Sequence, residues 1–302
     1  MLEFELSLID YADFTNVNDI SNALLKDIRS QSSANQIPIP VPINSIALSL
    51  DIGSIDPLPT EINSFEGMLY KKDWQGFIFF NDSSPKSRQR FTIGHELGHW
   101  MIPSHLTGDT LSCTKQQTSS FTTIGKNIPK EVRIEIEANH FSAQLLMPSL
   151  EFKREINQFE PDLRAIFIIA QKYNVSMAAC CVRFKDLSDY CCAIIHTHNF
   201  EIKRVLKTKG FPSLERNFKT GNYISPKSIS AKSSMTTELL PTDWKNWLQS
   251  PNSDRTELYE QVFQQNDGYR VTLLYLDDRY ELDEDDLEIE RLSTWNPKFK
   301  SR

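Results

Sequence analysis

Two glycines and two histidines, each pair four residues apart inside one apolar helix, constrain this chain more than any other feature. The run Phe91-Thr-Ile-Gly-His-Glu-Leu-Gly-His-Trp-Met101 belongs to a segment, 88–101, that reads as a helix stopping at Pro103. Phe91, Ile93, Leu97, Trp100 and Met101 spread apolar surface around most of it, so the helix is expected to be buried. Gly94 and Gly98 each cost about 1 kcal/mol against alanine in a helix interior. Such a pair makes sense only if another element packs closely along that line. A second strong helix is read over residues 129–147. It opens with Pro129 and an acidic residue and stops at Pro148.

His95 and His99 lie one turn apart on the same face, so both imidazoles can reach a single ion. Glu96 projects beside them, where its carboxylate can take a proton from a water molecule. Zinc suits the arrangement, because two neutral nitrogens and a carboxylate leave a fourth position open. The competing reading is a surface helix with two incidental histidines, and the apolar neighbours argue against it.

A third ligand has three candidates. His105 follows His95 by ten residues, but swinging it back to the ion calls for a glycine at position 102, where Ile102 stands. Glu135 and Glu137 on the second helix point about 200° apart, so only one of them can face the ion. Glu135 shares its face with Asn139 and Ser142, and Asn139 can accept a hydrogen bond from a ligand imidazole and fix its tautomer. Glu135 is therefore the choice and Glu137 the reserve. His140 reads as structural, and His196 and His198 as a solvated pair near a turn.

The two blocks, Arg88-Gln-Arg-Phe-Thr-Ile-Gly-His-Glu-Leu-Gly-His99 and Glu135-Ile-Glu-Ala-Asn-His-Phe-Ser-Ala-Gln-Leu-Leu-Met-Pro148, resemble the ImmA/IrrE metallopeptidases. The pattern of that family runs RxRFTxAHELGH and then ExxANxFAxxLLMP. The resemblance spans residues 35–190 and continues more weakly through 190–212 to Trp295-Asn-Pro-Lys-Phe299. Gly94 and Ser142 stand where alanine is usual. The resemblance implies a gluzincin-like zinc endopeptidase, with zinc on His95, His99 and Glu135 and with Glu96 as the catalytic base. It also implies a protein substrate, a helix-turn-helix repressor cut in a stress-response or mobile-element switch. The strand 76–81 is expected to pair with an extended substrate, with Phe79 and Asn81 as substrate-binding residues.

The fold class expected is α+β. A zincin-like catalytic domain over 1–187 sets the HExxH helix and the glutamate helix against a small antiparallel sheet. A smaller, mixed, β-containing region follows over 188–302, serving as a sensor, a partner dock or an extension of the fold. Within the first part, the opening 30 residues read as a helix, 37–42 as an extended proline-rich linker and 43–50 as a short helix. Strands are expected at 66–70 and 76–81, a polar loop at 107–127, and helices at 162–174 and 177–186. The second part is expected to hold a hairpin over 190–206, helices at 238–248 and 254–263, and a strand at 269–276. Residues 277–290 are strongly acidic: a solvated face, or a dock for a basic DNA-binding protein.

A net charge of −7 without a basic stripe speaks against direct nucleic-acid contact. No stretch approaches the ~20 apolar residues of a membrane span, and the start of the chain lacks the pattern of a signal peptide, so a cytoplasmic protein is expected. Five cysteines in an odd count with two vicinal pairs read as buried reduced thiols. Two alternatives to a selective peptidase stand beside it. One is a zinc-bearing regulatory module that sequesters its partner with little turnover, and retention of Glu96 favours the enzyme over it. The other is a broad degradative protease, a class usually secreted.

Overall fold

In the computed structural model, residues 3–59, 64–105, 110–114, 128–215, 218–250 and 257–277 are described. The chain divides into two compact units, Met1–Ser188 and Asp189–Arg302.

The first unit is organised around the glycine line. Helix α3 (Lys86–Met101) packs against α4 (Lys130–Leu146). A Cβ at Gly98 would stand 3.1 Å from Phe141 Cδ1 and 3.2 Å from the Ala138 Cα, and one at Gly94 would stand 2.6 Å from Ser142 Oγ. The helix-propensity cost of both glycines is therefore offset by close packing against α4. Ser142 donates to the Phe91 carbonyl at 2.8 Å, across the same seam. The two positions that depart from the ImmA/IrrE pattern thus touch each other: a smaller residue on α3 makes room for a larger one on α4.

This contact yields a test. Gly94→Ala gains about 1 kcal/mol of helix propensity but displaces the Ser142 hydroxyl from its bond, at about 1–3 kcal/mol. Gly94→Ala alone is expected to give no net stabilisation. Adding Ser142→Ala should then raise stability by about 1 kcal/mol, whereas Ser142→Ala in the parent lowers it. Denaturant midpoints of the four proteins form the cycle.

Helix α1 (Val17–Gln31) covers the other side of α4, with Ile20, Leu24 and Ile28 fully buried. It does not run through the first 30 residues: the Asn16 side chain accepts from the Asn18 amide and starts the helix at Val17. Helix α2 (Ile43–Leu48) packs on α3. Beyond α4 come α5 (Ser149–Ile156), α6 (Leu163–Tyr173) and α7 (Met177–Leu187). The Asp162 carboxylate caps α6, and Asn174, left-handed at φ 51°, ends it. Arg183 is buried, donating to the Met147 carbonyl at 2.9 Å and to Ser149 Oγ at 2.8 Å, which ties α7 to the end of α4.

On the other face of α3 lies a sheet of β1 (Ile52–Pro57), β2 (Phe65–Lys72), β3 (Gln75–Phe80) and β4 (Thr110–Thr114), in the order β1-β3-β2-β4. Three expectations change here. The sheet is mixed rather than antiparallel, because β1 runs parallel to β3. Strand β3 is interior, with Phe79 paired to Asp56 on one side and Met68 on the other. Its backbone groups are already used, so β3 has no edge to offer an added strand. The polar loop read over 107–127 contains β4, which is antiparallel to β2; 107–109 and 115–127 lie outside the described residues.

The second unit is an antiparallel sheet in the order β6-β5-β9-β8-β7. Its strands are β5 (Cys192–His198), β6 (Glu201–Lys207), β7 (Leu240–Thr242), β8 (Glu257–Gln264) and β9 (Tyr269–Asp277), with a one-turn helix α8 (Ile229–Lys232). Two segments read as helical are not. Residues 238–248 hold β7 and a short 3-10 turn, and the described part of 254–263 is β8. Ladders on both sides of β8 outweigh helical spacing, and Tyr259, Val262 and Phe263 favour a pleated surface. The acidic stretch after Asp277 and Trp295–Phe299 lie outside the described residues. No single helix among those described is long and apolar enough to cross a membrane.

Glu260 is fully buried within this unit and serves as its polar anchor. It accepts from the Ile229 and Ser230 amides at 3.2 and 2.6 Å, from Thr242 Oγ1 at 3.1 Å and from Trp247 Nε1 at 2.9 Å. Glu260→Ala leaves these donors unpaired and is expected to cost about 3–5 kcal/mol. Glu260→Gln, which keeps one acceptor oxygen, should lose less in the same urea titration.

Candidate metal centre

Helix geometry brings His95, Glu96 and His99 to one end of the α3 face, and the close α3–α4 seam brings α4 within reach. His95, Glu96 and His99 are all 0 % exposed. The Nε2 atoms of His95 and His99 stand 3.0 Å apart. From α4, Glu135 places Oε2 3.4 Å from His95 Nε2 and Oε1 3.7 Å from His99 Nε2. From β4, Cys113 places Sγ 3.3 Å from His95 Nε2, 3.5 Å from His99 Nε2 and 3.9 Å from Glu135 Oε1.

The outer nitrogens of both imidazoles are held. His95 Nδ1 lies 3.0 Å from Asn139 Oδ1, and an amide oxygen only accepts, so Nδ1 carries the proton and Nε2 presents a lone pair. His99 reaches the same state through two partners. Glu137 Oε2 accepts from His105 Nε2 at 2.9 Å, which leaves His105 Nδ1 free to accept from His99 Nδ1 at 3.1 Å. Glu137 and His105 therefore support His99 rather than join the cluster. Isoleucine at 102 leaves His105 on a short turn behind His99, consistent with the missing glycine.

Burial lowers the pKa of His99, helped by His95 and His105, so its ring is neutral. The His105 ring is also lowered by burial, opposed by Glu137. Burial raises Glu96 well above the ordinary carboxyl range, with Glu135 adding to the rise and the Cys113 thiol opposing it. Neither Glu96 oxygen has a partner with hydrogen-bond geometry, and Glu135 Oε2 is also unpartnered. Burial pushes the Cys113 thiol up, and Glu96 and Glu135 push it further.

These observations test whether the pocket fits a cation. Two lone pairs facing each other at 3.0 Å repel unless something positive lies between them. Unpartnered buried carboxylate oxygens make the same demand. Four donors bound to zinc at about 2.0–2.3 Å stand about 3.3–3.7 Å apart in a tetrahedron. The closest approaches among His95, His99, Glu135 and Cys113 run from 3.0 to 3.9 Å, with Glu135 turning Oε2 to His95 and Oε1 to His99 and Cys113, and one donor atom from each lies within 4.8 Å of the others. The donor set is close enough to close on one small cation, and among the described residues it is the group of such side chains that could hold one.

Residues 57–185 match the model of the peptidase M78 family, described as the IrrE N-terminal-like domain. Residues 57–185 are thus similar to an IrrE-like peptidase M78 domain. The matched region carries β2, β3, α3, β4 and α4, and so all four clustered side chains. A Mycobacterium tuberculosis transcriptional regulator shares the fold at TM-score 0.51 and 13 % identity, covering 88 % of this chain and 91 % of that one. No curated protein is a significant match.

Other residues singled out in the sequence are not among the clustered side chains. Asn81 serves the turn into α3, with Oδ1 accepting from the Ser83 amide at 3.0 Å and Ser83 Oγ at 2.6 Å. Phe79 is half-buried in β3. His140 is partly buried and its pKa is lowered by that burial. His196, read as solvated, is instead buried enough to hold its pKa down to about 4, with Arg204 opposite contributing. His198 stacks on Tyr269. Cys113 was not legible as a site residue. Its one sequence signal is that it stands alone while the other four cysteines form vicinal pairs, and its position depends on β2–β4 pairing.

Proposed function

We propose that this chain is a zinc-dependent endopeptidase in which His95, His99 and Glu135 hold the ion and Glu96 acts as general base. The observation that carries the reading is Glu96: a fully buried carboxylate without a hydrogen-bond partner, one residue from one ligand candidate and three from the next. A structural site has no use for such a group. Zinc on this donor set supplies Lewis acidity to the scissile carbonyl and the attacking water. Glu96 takes the proton of that water and returns it to the leaving amine, a role its raised pKa suits. Asn139, and Glu137 through His105, hold the ring orientation and tautomer of the two histidines.

The substrate we propose is a protein, a helix-turn-helix repressor, cut in the cytoplasm without direct contact of this chain with nucleic acid. The match of residues 57–185 to peptidase M78 supports a peptidase, and the resemblance to ImmA/IrrE sequences supports the repressor. The zincin-like arrangement of the first unit and a docking or sensing role for the second belong to the same proposal. Incubation of the zinc-loaded protein with the helix-turn-helix protein encoded beside it, followed by mass spectrometry, is expected to give two fragments. An intact partner that stays bound would instead favour sequestration.

A further inference from the structure

We propose that Cys113 is a fourth protein ligand of this metal centre and that β4, by delivering it, holds the centre closed. The proposal rests on the zinc reading above and adds a residue to it. Cys113 Sγ stands 3.3, 3.5 and 3.9 Å from donor atoms on His95, His99 and Glu135. The side chain is 1 % exposed. Beside it stands the fully buried Glu96 carboxylate, close enough for thiol and carboxyl to act on each other. Zinc sites with four protein ligands are closed, and catalytic ones keep a position for water or substrate. A thiolate also narrows the choice of metal toward zinc and away from magnesium or manganese.

The backbone adds a second element. Among the described residues, strand β4 is the end strand of its sheet and pairs with β2 alone, Cys113 opposite Gly67. A Cβ on Gly67 would stand 2.5 Å from Glu96 Oε1, so β2 runs directly against the base. An extended peptide adding to β2 would cross Glu96 and the metal position, and that edge is the one β4 occupies. Substrate therefore competes with β4 for the strand position and with the Cys113 sulfur for the ion. On metal loading the thiol gives up its proton to solvent as the zinc–sulfur bond forms. Opening reverses that exchange, with water or the substrate carbonyl replacing sulfur and no change of oxidation state.

X-ray absorption of the zinc-loaded full chain reads this directly. Wild type is expected to show one sulfur at about 2.3 Å with nitrogen and oxygen scatterers at about 2.0–2.2 Å. Cys113→Ser should keep one zinc per chain and lose the sulfur shell. In the cobalt-substituted proteins, acetohydroxamate should perturb the visible spectrum of Cys113→Ser at lower concentration than wild type. A site open roughly 1–10 % of the time weakens such a ligand by about 10–100-fold. Wild-type zinc bound at full stoichiometry with no sulfur neighbour overturns the role of Cys113 and leaves the His95, His99 and Glu135 site standing. A wild-type chain that binds no zinc overturns both.

Discussion

Glu96→Gln is expected to lower hydrolysis by about 10²–10⁴-fold, the usual worth of a positioned general base, while leaving zinc affinity at the parental level. The substitution keeps the size and shape of the side chain and removes only its capacity to take a proton. Glu96 makes no ion pair with the clustered histidines, whereas Glu135 lies 3.4 Å from His95 Nε2 and 3.7 Å from His99 Nε2. Its oxygens have no structural partner to lose. The amide carries no charge to desolvate in this buried position, so stability should hold or rise slightly. Zinc content by atomic absorption and fragment yield by mass spectrometry separate the outcomes. Loss of zinc together with activity would make Glu96 a ligand, and retention of activity would place the base elsewhere.

Removing carboxylates from α4 should give two different results from residues two positions apart. Glu135→Ala deletes a proposed donor to the ion and is expected to lower zinc affinity by more than about 100-fold. Glu137→Ala strips His105 Nε2 of its acceptor, loosening the tautomer of His99 without touching the ion. Loss of such a supporting partner costs about 10–100-fold. Competition with a chromophoric chelator ranks the two. Equal losses would mean that the Glu137–His105–His99 chain carries as much of the affinity as the ligand, and a larger loss at Glu137 would reverse the assignment.

Much of this arrangement was legible along the chain. The i, i+4 spacing alone sets both histidines on one face, and Gly94 with Gly98 announced a close neighbour, which is α4. The proline, aspartate and asparagine signals at Pro129, Pro148, Asp162 and Asn174 bound real helices. The errors have one cause. Segments 238–248 and 254–263 carry spacing compatible with a helix, yet β8 is a strand because β7 and β9 pair with it. The expectation of strand addition chose β3, when β3 has neighbours on both sides and β4 holds the edge.

Local chain geometry therefore determined His95, Glu96 and His99, because 3.6 residues per turn needs no distant partner. It narrowed the third carboxylate to two, since a helix sends residues two apart to opposite faces. The tertiary structure decided the rest. The approach of α4 brings Glu135 to the imidazoles and sends Glu137 to His105. The register of β4 on β2 brings Cys113 to a helix 14 residues earlier than itself, counted from His99. No periodicity encodes that contact, because strand pairing joins residues whose spacing in sequence is arbitrary.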